Sequence, residues 1–314
     1  MPTNIAPQTA SSTHKTTNYM RFALKTIATV AFTLATCGLC YATNTTSSDD
    51  EREKRVLDLS NFSFVAVEAP VNVTVCQADK FDVEMEATPK QFNRIEIAVE
   101  DGRLLITQKE GLWTRNRLIH VGWKKNFDDN AKIIVHMPQI VGLGVRSAGH
   151  IYVETPLHCE QLHIETSGAS QIKLNQIETD FLRIETSGAS IANLPKQVTT
   201  QEIEAQSSGS SQCIIDHLQT QQANVSASGA SSIKLVGPNM GEMLTASVSG
   251  SASLRAANWA CQRAKVTITG AAAASVNVNE LLSGSASSAS SITLYGKATT
   301  RVSVSGAASL SIKD

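Results

Sequence analysis

A short motif of small side chains returns through the second half of the chain at a nearly constant step, and this return restricts the fold more than any other feature. Marking the Ser or Thr that opens each copy gives Ser167 (SGAS), Ser187 (SGAS), Ser208 (SGSS), Ser228 (SGAS), Ser249 (SGSAS), Thr269 (TGAA), Ser287 (SSAS) and Ser305 (SGAAS), separated by 20, 21, 20, 21, 20, 18 and 18 residues. A degenerate earlier copy, SAG from Ser147, adds one more step of 20. A fixed period of this size indicates a solenoid, in which each repeat buries its apolar face only against its neighbours.

Apolar residues keep fixed offsets from the markers: Leu162 and Ile164, or Leu182 and Ile184, before them, and Ile172 and Leu174, Ile233 and Leu235, Ile292 and Leu294, or Leu310 and Ile312 after them. A spacing of two is the period of a strand. A repeat of about twenty residues holds two or three short strands with their turns and leaves no length for a helix. The expected fold is therefore all-β, a parallel β-helix (β-solenoid) with coils of about 20 residues, preceded by a β-rich N-terminal segment. Leucine-rich repeats share the period, but their Leu-x-x-Leu spacing and consensus Asn or Cys are absent.

The small residues then acquire a mechanical meaning. Each coil must bend sharply, and Gly168, Gly188, Gly209, Gly229, Gly250, Gly270 and Gly306 supply residues suited to positive φ at the bend. Equivalent side chains of successive coils stack about 4.8 Å apart, so only small ones let a tight corner repeat. Serine hydroxyls can bond backbone groups that the turn leaves unpaired. The motif reads as construction, not as a row of nucleophiles.

Residues 56–140 form a β-rich entry portion and 141–314 the repeat coils of one domain spanning 56–314. The entry portion contains FSFVAVEAPVNVTVCQ, FDVEMEA and RIEIAVEDGRLLITQKE, alternating strands with a hairpin signal at Asp101-Gly102. The stretch 111–130 interrupts this pattern before AKIIVHMPQI resumes it, and places Trp113 and Trp123 among Arg115, Arg117, Lys124 and Lys125. Aromatic and arginine side chains on a segment projecting from a rigid scaffold are candidates for partner contact. The alternative use of the two tryptophans is to cover an end or flank of the solenoid.

From Met20 the chain reads MRFALKTIATVAFTLATCGLCYA, two basic residues followed by an uncharged, mostly apolar run closing on Ala42. This is a secretory signal pattern, shorter than a membrane span, so residues 1–42 are assigned to upstream residues and a signal peptide, with no stable membrane span after cleavage. Residues 43–55 are polar and charged and read as a flexible leader. Export to the periplasm, the cell surface or the medium follows; lipid anchoring through Cys37 is disfavoured by Thr36 before it. The remaining cysteines, Cys76, Cys159, Cys213 and Cys261, contain no CxxC pair and suit small buried side chains in strands better than bridges or ligands.

With 27 Lys+Arg against 28 Asp+Glu, the chain has no charge excess to hold nucleic acid or an anionic membrane. Its seven histidines are scattered, and there is no HExxH, no calcium loop beyond the weak NFDDN at 126–130, no GxSxG elbow and no phosphate loop. Neither metal, cofactor nor acyl-transfer chemistry is indicated. One catalytic pattern deserves weighing: Glu165 and Glu185 hold the same position in neighbouring coils and would stack about 4.8 Å apart, near the separation of paired carboxylates in retaining glycosidases. The ladder beside them, His163, Arg183 and Glu204, sets Arg183 diagonally against both glutamates, and charge compensation on a solvated face is the simpler account.

The order of these pieces, FSFVAVEAPVNVTV, VEDGRLLI, IIVHMPQI and then serial SGAS coils, resembles the putative auto-transporter adhesin, head GIN domain family of exported bacterial proteins, over about 56–312. The resemblance implies an exported or surface-associated β-helix and brings no catalytic motif. Near the end the chain departs from the pattern: Ser288 stands where glycine is expected, in a short coil. The expected function is a non-catalytic, adhesin-like module contacting a surface glycan or protein; a carbohydrate-active enzyme using Glu165 and Glu185 is the alternative.

Overall fold

The structure, a computed structural model, describes residues 51–109 and 131–313. The proposed signal peptide with Cys37, most of the leader, and Trp113, Arg115, Arg117, Trp123 and Lys124 lie outside the described residues. Among the described residues, no helix is long and apolar enough to cross a membrane.

The repeat region is a parallel β-solenoid, built as the alternating pattern requires. In Leu157–Thr166, Leu162, Ile164 and Thr166 point into the core while His163 and Glu165 point out. The inward set lies in register beside Leu182, Ile184 and Thr186 of the next coil, and that set beside Ile203, Ala205 and Ser207. Each coil thereby covers the apolar row of the one before it, and the buried residues form one continuous core.

The seven expected corner glycines all have positive φ, between 70° and 87°. At Gly188 the requirement is also steric, because a Cβ would stand 2.8 Å from the carbonyl oxygen of Gly168 in the preceding coil. That oxygen accepts the N–H of Ala189 at 2.8 Å, so the inter-coil ladder runs through the corner itself. The last serine of the motif turns inward: Ser190 Oγ lies 2.7 Å from the carbonyl of Ser187 and 2.8 Å from Thr166 Oγ1. Ser147 requires a correction. Val145 pairs with Thr166 and Gly168 stacks on Ser147, so Ser147 occupies the glycine position, at φ 68°, and Arg146 takes the place of the marker. Ser288, at φ 67°, fills the glycine position as expected.

A second corner, not anticipated from the sequence, is closed by threonine. Thr179, Thr200 and Thr220 are buried at equivalent places, each with Oγ1 3.0 Å from a carbonyl of the preceding coil, those of Glu160, Asp180 and Gln201.

The entry portion is itself part of the solenoid, with its coils out of sequence order. Phe64–Val67 and Asn72–Gln77 pair in parallel with Gly142–Val145 and His150–Val153 on one side. On the other side they pair with Arg103–Gln108 and Lys132–Met137, which are later in the chain but form the outermost coil. Antiparallel strands cover that end: Ile95–Glu100, joined through Asp101-Gly102 at φ 48° and 73°, and Asp82–Ala87, flanked by Glu53–Leu57. The flexible leader expected to reach residue 55 is therefore too long, since Glu53 already begins a strand.

The cysteines differ in burial. Cys213 and Cys261 are buried and Cys76 and Cys159 half-buried, all as free thiols. Burial pushes the Cys213 and Cys261 thiols up to about 12.

Candidate functional site

On the outer face, the strands that precede the Ser/Gly corner present a row of polar side chains, because their apolar partners alternate into the core. Three adjoining depressions in this face form a shallow trough that crosses the strands. The central one, about 540 Å³, is lined by Arg146, Glu165, Glu185, Gln206 and the corner hydroxyls of Ser167, Ser187, Ser208 and Ser228. One of about 130 Å³ shares Arg146 and Glu165 and extends towards Arg103 and Glu68. Another of about 360 Å³ shares Gln206 and Ser226 and extends through Asn224 and Thr245 to Lys265 and Thr267.

The stacking foreseen for Glu165 and Glu185 is present, since the two face each other in the register of neighbouring strands. So is the adjacent ladder, His163 beside Arg183 and Arg183 beside Glu204. Arg183 binds both flanking carboxylates, with Nη2 2.6 Å and Nε 2.7 Å from Glu185 Oε1 and Nη1 2.9 Å from Glu204 Oε2. The hydrogen bond to Glu185 raises the guanidinium pKa further above its usual value. Arg146 reaches 3.4 Å from Glu68 and 3.6 Å from Glu165. Gln206 in turn donates to Glu204 at 2.8 Å. The carboxylates of the trough are thus engaged by neighbouring donors, and the wall is electrically balanced.

An aromatic cluster adjoins the capped end of the trough, where Gly144 and Arg103 line it. The ring of Phe64 lies over Gly142 and Gly144, where a Cβ on Gly142 would overlap it, and the Arg103 guanidinium sits 3.8 Å above the ring centroid. Sequence reading missed this cluster; the unusual Gly-x-Gly in a strand was the signal, since glycine in a strand marks the close approach of another group.

A second depression of about 540 Å³ lies at the threonine corner, between His158, Glu178, Asp180, Gln201 and Gln221. Among the described residues, no group of three or more His, Cys, Asp or Glu side chains could hold a metal ion. The contact residues proposed from sequence lie beyond the described residues, but the strands flanking them, Arg103–Gln108 and Lys132–Met137, meet at the same side of the coil as the Ser/Gly corner.

The family profile described as putative auto-transporter adhesin, head GIN domain, matches residues 61–235 and again 184–298. The overlap of the two matches follows from the repetition, which lets the same pattern align at more than one coil. Solved structures share the fold. A putative adhesin from Parabacteroides distasonis ATCC 8503 has a TM-score of 0.61 at 15% identity, covering 84% of this chain and 98% of that one. A putative adhesin from Parabacteroides merdae ATCC 43184 has a TM-score of 0.57 at 12% identity, covering 84% and 97%. A putative lipid binding protein from Parabacteroides distasonis ATCC 8503 has 0.53 at 18%, again covering 84% and 97%. No curated protein matches the chain significantly.

Proposed function

This chain belongs to the putative auto-transporter adhesin, head GIN domain family, and on that footing we propose that it is an exported, non-catalytic binding module whose outer face attaches to a surface glycan or protein. The observation that carries the reading is the polar trough, which spans many coils on a scaffold held by a continuous core. Rigid elements that hold a long array of polar groups at fixed spacing suit recognition of an extended surface partner. Trp113, Arg115, Arg117, Trp123 and Lys124 are proposed as a second contact, on the segment between the strands of the outermost coil.

The alternative, glycoside hydrolysis by Glu165 and Glu185, has less support. A general acid must present a proton, and Glu185 instead accepts a hydrogen bond from Arg183 Nε and forms an ion pair with its Nη2. Beads coated with the purified chain should attach saturably to bacterial envelope or host mucosal surfaces, and Trp113→Ala with Arg115→Ala should weaken attachment while barely moving the melting temperature. Absence of attachment to every surface, with folding intact, would reject the binding reading. Turnover of a polysaccharide that disappears in Glu165→Gln or Glu185→Gln would establish the enzyme instead.

A further inference from the structure

We infer that the trough on the Ser/Gly side binds a neutral, polyhydroxylated polymer, an uncharged polysaccharide, lying along the solenoid axis across the strands. This rests on the binding-module reading and names the ligand class for it.

Direction comes from the lining. The central depression draws on successive coils through equivalent residues, Glu165, Glu185 and Gln206 in one row and Ser167, Ser187, Ser208 and Ser228 in the next. These rows repeat about every 4.8 Å along the axis, so a chain lying in that direction meets a similar set of polar groups at each step. Hydroxyl and amide groups donate and accept, and carboxylates accept, which matches the mixed donor and acceptor character of sugar hydroxyls.

Charge selects among polymers. A polyanion lying along the trough would run past Glu68, Glu165, Glu185 and Glu204, with Arg146 paired to the first two, Arg183 to the last two, and Arg103 and Lys265 at the two ends. A polycation would meet Arg103, Arg146, Arg183 and Lys265, which equal those four carboxylates in number. An apolar chain has no place to desolvate in the central depression, whose lining carries no aromatic or large aliphatic residue. A peptide strand gains most of its affinity by adding to an open sheet edge. The strands beneath the centre of the trough offer none, since Ile177–Thr186 and Glu202–Ser207 are paired on both sides. What remains is a polar, uncharged chain.

The test is electrophoresis of the full chain through native gels cast with dextran, mannan, xylan or starch, with alginate as the anionic control. At least one neutral gel should retard the chain, equally at low and high salt, because screening weakens exposed charge contacts and leaves neutral hydrogen bonding. Ser226 is exposed and belongs to both the central and the distal depression, so Ser226→Trp should block the trough and weaken retardation at least about tenfold, the loss of one or two hydrogen bonds. Thr293→Trp, on the strand Ser291–Tyr295 after the corner, should leave it unchanged. The melting temperatures of both variants should match the parent; if Ser226→Trp unfolds, Gln206→Ala serves in its place. Retardation only by alginate and abolished by salt, or retardation untouched by trough variants that remain folded, would overturn the inference. Lack of retardation in all four neutral gels would also overturn it, and if coated beads still attach to cells, the binding-module reading survives with another ligand.

Discussion

Replacing Gly188 by alanine adds one carbon at the tightest repeating feature of the fold, and the structure sets its cost. Gly188 has φ 70°, where an L-residue carries about 1–2 kcal/mol of strain. The new Cβ would also lie 2.8 Å from the carbonyl oxygen and 3.0 Å from the nitrogen of Gly168, both backbone atoms that no rotamer can move. Relief requires shifting one corner away from the other, which stretches the 2.8 Å bond from Ala189 N–H to Gly168 and forfeits about 1 kcal/mol. Stiffening of the unfolded chain offsets about 0.4–1 kcal/mol. The expected net loss is about 2 kcal/mol, or a fall in melting temperature of roughly 4–8 °C for a domain of this size. Circular dichroism melts of the parent and of Gly188→Ala measure it, with hydrogen exchange showing whether protection falls first in the adjoining coils, as nearest-neighbour stability requires. A melting temperature within about 1 °C of the parent would refute the stacked-corner account.

Ser288→Gly tests the same corner from the other side: it removes strain at φ 67°, and glycine's larger unfolded-state entropy opposes the gain, so stability should stay equal or rise by less than about 1 kcal/mol in urea unfolding. A loss would mean that the Ser288 side chain supports its coil. Arg183→Met leaves Glu185 and Glu204 without their shared partner, and because all three side chains are about one-third exposed the cost should be about 1 kcal/mol and should shrink with added salt, whereas Glu165→Gln should change stability by less than about 0.5 kcal/mol. Folding raises the Cys213 thiol from 9.0 to about 12, so its contribution is fully present below pH 9 and is lost as pH rises from 9 towards 12. The alkaline loss of stability in this window should be smaller in Cys213→Ala than in the parent, and identical slopes would show that this thiol does not ionise on unfolding there.

The repeat was legible because its information is local. Each SGAS copy carries its own corner, and Leu162 with Ile164, or Leu182 with Ile184, carries its own strand period, so register followed from counting. Ser147 shows the limit of counting: its sequence matches a marker, but its neighbour Val145 pairs with Thr166, and this pairing moves Ser147 to the glycine position. The threonine corner escaped notice because Thr179, Thr200 and Thr220 are surrounded by other polar residues, and only their carbonyl partners distinguish them.

The order of the first coils was beyond local reading for a different reason. Phe64–Val67 and Arg103–Gln108 are both short strands with buried residues at alternate or adjacent positions, and neither encodes which side of the other it will occupy. The choice is made by end effects. Arg103–Gln108 is tied by a tight hairpin to Ile95–Glu100, which pairs antiparallel and cannot continue a parallel solenoid, so this coil can only be outermost. Phe64 supports the arrangement from the opposite side, because its ring needs the bare backbone of Gly142 and Gly144, leaving the Gly142–Val145 strand as its fitting neighbour in the direction of the repeats. Gly144 of this cluster also lines one end of the trough, together with Arg103, Arg146 and Glu165. The end effects that order the first coils therefore also set where the charged part of the trough begins. The carboxylate ladder was visible as an outward row in the sequence, while its place in a trough depended on this non-local packing.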